Sequence, residues 1–308
     1  MDLTKPMPIV TRIYIDGYNL YYGCLKGTTY KWLDLLKLFE ESILPSVRSL
    51  NASGSPRKAV LAQAPAIKFF TAKIVESVAK SPDSVSCQAR YHTALRKLYG
   101  NKLEIVEGYY AINPMRVKVI DEVHPEKAPS KCDEVQAWKV EEKQSDVHLA
   151  LQAYHDAMTS QVDQVIFVTN DTDIAPALKM IREHTTTQVG VVIPTTNHQR
   201  KANSALSELA HWTRSHITEE ELSKSQLPRV IAGRKPTLKP ISWYPHPELL
   251  KEILELAKPI RRSQSEVFKW MNQENEYLNG ERPIDMIETE KGSLEVLEYI
   301  KAWIDQSK

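Results

Sequence analysis

Four aspartates stand at positions where carboxylate chemistry is expected. Asp16 ends a short β-rich run, Asp146 opens a helical pattern, and Asp171 and Asp173 follow a second apolar run. Carboxylates brought together repel one another and raise their pKa values, and a bound divalent cation removes that conflict. Mg²⁺ and Mn²⁺ prefer oxygen ligands, and the sequence lacks the His and Cys spacing typical of zinc sites. The residue types therefore indicate a site for Mg²⁺ or Mn²⁺.

Such a metal site suits the hydrolysis of a phosphodiester bond. The metal ion activates a water molecule and neutralises the charge that develops on the phosphate in the transition state. We therefore predict that Asp16, Asp146, Asp171 and Asp173 are both metal ligands and catalytic residues.

Alternating strands and helices have to position these aspartates. Apolar runs predict strands at 12–15, 67–70, 103–110, 135–140, 165–169 and 189–193, and helices at 33–50, 84–99, 146–154 and 174–184. Ser145 is the expected N-cap and Gly100 the expected C-cap, while 51–56 is a loop and 114–129 an inserted hairpin. This alternation is typical of an α/β fold with a doubly wound, mostly parallel sheet, in which strand ends share one ligand-binding edge.

Each aspartate also has a simpler interpretation. Asp16 before Gly17 is a common turn residue, and Asp146 in a first helical turn is a common partner of the helix dipole. Asp171 and Asp173 precede a helix and are suitable caps. Their joint placement at one edge of the predicted sheet favours a site.

Composition sets wider limits on function and location. The 308 residues carry a net charge of +1, so nucleic-acid binding would have to come from local patches. Three separated cysteines, Cys24, Cys87 and Cys132, indicate reduced thiols. No apolar run approaches the roughly 20 residues of a membrane span, and the N-terminal residues lack the layout of a secretory signal. These observations predict a cytoplasmic protein.

The chain divides into three parts. Residues 1–225 form the predicted α/β domain, and 226–247 form a linker that contains five prolines. Residues 248–308 lack strand alternation and form a small, mainly helical domain.

Three runs of residues resemble the motifs of NYN domains, a family within the PIN-like nuclease superfamily. They are 14–20 (YIDGYNL), 141–150 (EEKQSDVHLA) and 168–173 (VTNDTD), and the resemblance covers about residues 8–225. It implies a PIN-like fold and a Mg²⁺- or Mn²⁺-dependent ribonuclease activity.

The resemblance also assigns roles to single residues. Asp16, Asp146 and Asp171 match the acidic metal site, and Asp173 matches the second carboxylate of the last motif. Asn19 matches a polar residue beside the first aspartate, and Thr169 matches a hydroxyl that orients water or phosphate. Lys143 matches a basic residue that contacts phosphate, with a solvated lysine as the alternative.

Further residues are candidates for RNA contacts, and two positions depart from the family pattern. Arg200 and Lys201 could hold RNA phosphates, and Tyr18 could stack on a base together with Tyr21 and Tyr22. The alternatives are a solvated basic pair and tyrosines packed under a loop. Ile174 follows Asp173 where many members have Phe, and no fourth acidic match appears at 197–203.

The C-terminal residues resemble the toxin-binding domain of Xre/MbcA/ParS-type antitoxins. Residues 278–283 (LNGERP) carry the resemblance, which covers about 249–306. It implies a module that binds a protein partner or associates with itself. A small helical cap packed on the first domain is the alternative.

The sequence therefore predicts a metal-dependent endoribonuclease that acts in RNA turnover or as a toxin or defence nuclease. One alternative is a catalytically impaired RNA-binding or scaffolding module. The other is a phosphatase of the haloacid dehalogenase type with Asp16 as nucleophile, although Tyr18 stands where that class requires a second aspartate.

Overall fold

An eight-stranded, mostly parallel sheet organises the first two-thirds of the chain in the computed structural model, which describes residues 7–47, 49–50, 56–196, 200–261 and 263–306. The strands are β1 (Ile9–Asp16), β2 (Ala59–Leu61), β3 (Ile67–Ala72), β4 (Leu103–Lys118), β5 (Glu134–Lys143), β6 (Gln164–Val168), β7 (Gln188–Val192) and β8 (Trp212–Arg214). Their order is β8-β7-β6-β1-β3-β4-β5, with β2 paired to the first residues of β1. Only β4 and β5 pair antiparallel in this sheet.

Six longer helices accompany the sheet: α1 (Ser84–Tyr99), α2 (Ser145–Met158), α3 (Ala175–His184), α4 (Pro247–Arg261), α5 (Gln264–Met271) and α6 (Glu290–Gln306). Shorter helical segments are Gly17–Leu20, Tyr21–Leu25, Leu35–Lys37, Leu38–Ile43, Leu44–Ser46, Ser204–Ser207, Glu219–Lys224 and Pro283–Met286. Single 3₁₀ turns occur at Glu76–Val78, Gly100–Lys102, Pro129–Lys131, Thr172–Ile174, Ile241–Trp243 and Glu276–Leu278. Two small antiparallel pairs join Ser49–Leu50 to Pro56–Arg57 and Val230–Ile231 to Thr237–Leu238.

Helices cover both faces of the sheet, which confirms the predicted fold class. One core contains Ile166 and Val168 of β6 together with Leu95 of α1. The other contains Val165 and Phe167 of the same strand together with residues of α2 and α3. All five residues of β6 are buried, as expected for a parallel strand that packs on both faces.

A long hairpin departs from the predicted elements. β4 continues to Lys118, and its residues 109–118 pair antiparallel with 134–143 of β5. The strand predicted at 135–140 is therefore one arm of this hairpin, which is longer than the insertion expected at 114–129. Most side chains of both arms are exposed or half-buried, so their apolar pattern was weaker than that of a buried strand.

The start of α2 differs from the prediction by one residue. Gln144 is the N-cap, with a left-handed φ of 80°, and Ser145 is the first helical residue. The Ser145 hydroxyl donates a hydrogen bond to the Glu142 carboxylate instead of capping the helix. Of the loop expected at 51–56, residues 51–55 lie outside the described residues, and Pro56 begins a short strand.

The proline-containing segment packs on the first core. Trp243 lies against Trp32, with ring centroids 6.0 Å apart, and the Trp32 indole donates a 3.0 Å hydrogen bond to the Pro228 carbonyl. After it, α4 to α6 enclose a third apolar cluster of their own. Gly292 lies inside α6, where a Cβ atom would stand 2.2 Å from the Met286 carbonyl oxygen.

None of the helices in the described part of the chain combines the length and the apolar composition that a membrane crossing requires.

Candidate acidic site

Asp16 is the centre of a buried polar network at the carboxyl end of β1. The side chain accepts hydrogen bonds from the Asn19 amide nitrogen (2.9 Å) and from Asn19 Nδ2 (2.5 Å). Its Oδ2 atom also accepts a 2.9 Å hydrogen bond from the Thr169 hydroxyl. The residue is 5% exposed, and burial raises the pKa of its carboxyl although these hydrogen bonds oppose the rise. The site thus holds a carboxyl group in a fixed orientation and away from bulk water.

The sheet register explains why residues 153 positions apart meet here. β1 and β6 are parallel neighbours, and Ile15 pairs with Val168, so the next residues, Asp16 and Thr169, emerge side by side. The Thr169 hydroxyl also accepts a 3.1 Å hydrogen bond from the Asp171 amide, and Asp171 Oδ1 accepts one of 3.0 Å from the Asp173 amide. The predicted edge of the sheet therefore brings Asp16, Asn19, Thr169 and Asp171 into one hydrogen-bonded group.

Asp146 approaches the same edge from the first turn of α2. Its pKa is raised to about 6, mainly by burial and also by the charges of Asp16, Glu142, Asp171 and Asp173. The four predicted aspartates therefore share one electrostatic environment.

Their arrangement does not complete a metal site. Within the described ranges, no three His, Cys, Asp or Glu side chains are placed so that they could hold a metal ion together. Asp16 already accepts three hydrogen bonds. The donors are of the type that Mg²⁺ and Mn²⁺ prefer, but the side chains do not form a ligand set as they stand, and metal binding stays a prediction.

Arg200 is the predicted basic residue whose side chain reaches the network. Its Nη1 donates a 3.4 Å hydrogen bond to Asn19 Oδ1. Lys201 contributes through its backbone, since its carbonyl oxygen accepts a 3.1 Å hydrogen bond from Asn170 Nδ2. Neither contact tests RNA binding, which stays a prediction.

Lys143 and Glu142 lie on opposite faces of β5. The Lys143 ammonium pairs with Glu141 at 2.7 Å, because residues two apart in a strand share a face. Glu142 lies on the other face and acts electrostatically on Asp146. Lys143 was predicted from the motif and Glu142 was not, although the alternation of side chains along a strand could have indicated Glu142.

The tyrosines beside the network are packed to different degrees. Tyr18 donates a 2.6 Å hydrogen bond to the Tyr110 hydroxyl and its ring packs edge-on against Tyr110. Burial raises the pKa of Tyr18 far above its ordinary value. Tyr21 and Tyr22 are 38% and 49% exposed, so they present open aromatic surface. Tyr110 was not predicted from the sequence, because it belongs to an exposed arm of the hairpin.

Comparison with known protein families identifies the family to which the sheet and its acidic edge belong. The NYN domain family matches residues 11–212, which include all four aspartates. The chain belongs to the NYN domain family. Residues 262–303 of this NYN protein match a second family, the antitoxin Xre/MbcA/ParS C-terminal toxin-binding domain. Both resemblances that the sequence motifs indicated are therefore confirmed.

A similar curated protein corrects the predicted activity. It is 6-hydroxy-3-succinoylpyridine 3-monooxygenase HspA from Pseudomonas putida (strain DSM 28022 / S16), 62% identical over 301 residues, which cover 98% of this chain and 96% of the relative. The prediction of a ribonuclease is wrong in the light of this relative, and neither alternative, the RNA-binding module or the phosphatase, matches its activity. The motifs identified the fold and its acidic edge, whereas a fold can host several chemistries.

A solved structure also resembles this NYN protein. It is a protein of unknown function from Vibrio parahaemolyticus RIMD 2210633, 18% identical, with a TM-score of 0.37 over 71% of this chain and 98% of that one. Nothing about activity follows from this likeness.

Proposed function

We propose that this NYN protein is a monooxygenase that acts on 6-hydroxy-3-succinoylpyridine or on a hydroxypyridine with the same substitution pattern. The identity of 62% to the relative of that name, across 98% of the chain, carries the proposal. Such identity over nearly the whole length covers the acidic edge, the hairpin and the C-terminal helices together.

The reaction requires an oxidant and a reductant in addition to the pyridine. A monooxygenase transfers one atom of O₂ to its substrate and releases the other as water, which consumes two electrons from a donor such as a reduced nicotinamide. In a 3-monooxygenase the oxygen reaches ring carbon 3, which lies opposite the hydroxyl-bearing carbon 6 and already carries the succinoyl group. The new bond from carbon 3 to oxygen therefore replaces the bond from carbon 3 to the acyl carbon. The four-carbon side chain leaves as succinic acid when water adds to the acyl carbon, or as the semialdehyde when a second reduced nicotinamide supplies two more electrons, and the ring product is a dihydroxypyridine. Loss of the hydroxyl proton pushes electron density through the ring towards carbon 3. A base that faces the hydroxyl group would therefore promote attack by an oxidant.

We assign the role of this base to Asp146. Its pKa of about 6 leaves the carboxylate ionised near neutral pH and still basic enough to accept a proton. The positioning residues in this proposal are Asp16, Asn19 and Thr169, because their hydrogen bonds to one another hold the sheet edge beside Asp146 in place. Asp171 and Asp173 complete the negative surroundings that raise the proton affinity of Asp146.

Substrate turnover tests the proposal. Purified protein is incubated in air with 6-hydroxy-3-succinoylpyridine and NADH or NADPH, with and without added flavin or Mn²⁺, and the pyridines are followed by liquid chromatography and mass spectrometry. We expect reductant-dependent loss of the substrate and a hydroxylated pyridine product, and a large loss of rate in Asp146→Asn. An unchanged substrate under every one of these conditions would contradict the proposal.

Mg²⁺ or Mn²⁺ at the four aspartates is an alternative proposal, in which Asp146 is a metal ligand instead of the base, and the oxygen donors at this edge support it. The metal content of protein purified without chelator tests it, with Asp16→Asn and Asp171→Asn as the comparison variants. Bound metal that both substitutions remove would support the assignment, and metal-free protein that takes up neither ion would contradict it.

We also propose that the C-terminal helices bind a protein partner or a second copy of the chain. The family match at 262–303 supports this, as does Tyr277, which is 83% exposed and stacks on Tyr299 with centroids 6.1 Å apart. Light scattering of wild type and Tyr277→Ser, followed by capture of partners on each, tests the surface. Association that the substitution weakens supports the proposal, and identical mass and identical bound proteins contradict it.

A further inference from the structure

Two lysines converge on one tyrosine beside the acidic site. The Lys26 and Lys80 ammonium groups lie 5.3 Å and 5.5 Å from the centroid of the Tyr22 ring. Both are within the distance at which a cation is attracted to the face of an aromatic ring. Across the described residues, neither ammonium has a carboxylate partner at ion-pair distance, whereas Lys143 and Lys251 each pair with a glutamate. Two positive charges beside one aromatic ring, with no protein carboxylate at ion-pair distance among the described residues, attract an anionic ligand.

Exposed aromatic surface continues from this pair of lysines. Tyr21 packs edge-on against Tyr22, with centroids 5.3 Å apart, and both rings are partly open to solvent. Tyr18 and Tyr110 form a second edge-on pair, with centroids 6.2 Å apart. Such rings offer faces and edges against which a flat heteroaromatic ligand can pack.

Electrostatic coupling joins the tyrosines to the acidic edge. Burial raises the pKa of Tyr110, and the neighbouring Tyr22 and Glu142 raise it further. Glu142 also raises the pKa of Tyr18 and of Asp146, after the larger effect of burial in each case. Tyr110 is also paired with Glu142 across the hairpin, and the Tyr18 hydroxyl donates a hydrogen bond to Tyr110. The second tyrosine pair therefore adjoins Glu142, whose charge acts on Asp146.

We propose that Tyr22, Lys26 and Lys80 form the subsite for the carboxylate of an aromatic acid, whose ring lies against the tyrosines and whose hydroxyl faces Asp146. This inference rests on the proposed function, because it names the groups that recognise the substrate of that reaction. 6-Hydroxy-3-succinoylpyridine carries its hydroxyl and its carboxylate at opposite ends of a flat ring. The basic and acidic ends of this surface match those two groups.

Binding of two ligands to matched variants tests the subsite. Titration calorimetry without reductant measures the affinity for 6-hydroxy-3-succinoylpyridine and for 6-hydroxy-3-acetylpyridine. The acetyl compound keeps the ring and the ketone and lacks the carboxylate. The proteins are wild type, the double variant Lys26→Ala/Lys80→Ala, and Lys291→Ala as an exposed lysine of α6. We expect the double variant to lose about tenfold in affinity for the succinoyl compound, the size of two partly exposed ion pairs, and less than twofold for the acetyl compound.

The same comparison separates the subsite from the proposed activity. In turnover, the double variant should raise KM for the succinoyl compound by a similar factor and leave kcat unchanged, and Lys291→Ala should change neither. Equal affinity loss for both ligands, or none for either, would overturn the subsite even if wild type inserts oxygen. Lysine-dependent binding of the succinoyl compound without any turnover would support the subsite and contradict the activity.

Discussion

At the scale of single residues, Asp146 sets the pH dependence of the proposed reaction. Its carboxyl has a pKa of about 6 because it is half-buried and lies near other acids, and it acts as a base only when ionised. We expect kcat/KM to rise with pH through about 6 and then level off. Asp146→Asn should remove this rise and lower the rate by about 10²- to 10⁴-fold, the usual contribution of a positioned base.

Steady-state rates between pH 5 and 8, with folding checked by circular dichroism at each pH, measure this effect. Ser86→Ala, an exposed position on α1, serves as the control substitution. A wild-type profile that is flat between pH 5 and 7 would contradict the assignment of Asp146.

His92 makes stability depend on pH in the same range. Its pKa is lowered to about 4, mainly by burial and also by the charge of Arg96, although Glu107 at 3.5 Å opposes the shift. In the unfolded chain the pKa of a histidine is about 6.5. Between about pH 6.5 and 4, His92 is therefore protonated in the unfolded chain and neutral in the folded chain. This contribution to the free energy of unfolding is complete above pH 6.5 and is lost as pH falls, by up to about 3 kcal/mol.

Denaturant unfolding of wild type and His92→Gln at pH 7.0, 5.5 and 4.5 measures this contribution. The difference in free energy of unfolding between the two proteins should shrink as the pH falls. A difference that stays constant over this range would show that His92 does not carry the effect.

At the scale of elements, Gly108 determines where the hairpin crosses the acidic edge. A Cβ atom there would lie 2.2 Å from the Lys143 carbonyl oxygen and 2.6 Å from Glu142 Oε1. Gly108→Ala should therefore push β5 away and destabilise the protein by about 1–3 kcal/mol, the usual range for an overpacked position. It should also lower the activity, because Glu142 moves with the strand.

Gly280→Ala is the comparison for that substitution. Nothing lies within 4 Å of its Cβ position, and its φ of 78° adds only backbone strain. Thermal unfolding and turnover of both variants separate the clash from the strain. Unchanged turnover in Gly108→Ala would contradict a role of the hairpin base in the site.

Several elements were predictable because their side chains are buried. The apolar run of β6 and the helix from Ser84 to Tyr99, which ends at Gly100, follow directly from periodicity. The full extent of the hairpin could not be predicted from the sequence. Its exposed arms carry a mixture of polar and apolar residues, and only their pairing with each other defines where they begin and end. Glu142 and Lys143 show the same limit, because the pairing register decides which of two adjacent side chains faces the site.

At the scale of the whole molecule, Arg229 joins the segment after the sheet to the C-terminal helices. Its guanidinium pairs with Asp285 at 2.6 Å and with Glu288 at 2.9 Å. Arg229→Met keeps much of the apolar stem and removes both ion pairs. Amide hydrogen exchange in α4, α5 and α6 should become faster, while exchange in β1 and β6 should stay the same. Equal protection of the C-terminal helices in both proteins would mean that these ion pairs do not hold them.

The fold alone could not reveal the reaction. The order of Asp16, Asp146 and Asp171 along the chain predicts a shared edge and the NYN family, and both are present. The same carboxylates suit metal-assisted hydrolysis and proton abstraction from a hydroxypyridine, so their positions do not choose between them. Identity over the whole chain to a monooxygenase supports the second chemistry.

Isotope labelling tests this central claim most directly. Wild type is supplied with 6-hydroxy-3-succinoylpyridine, a reduced nicotinamide and ¹⁸O₂ in ordinary water. The mass of the pyridine product is then measured by mass spectrometry. The account predicts one ¹⁸O atom in that product and the second in water. A product that carries oxygen only from the solvent would identify hydrolysis and contradict the account.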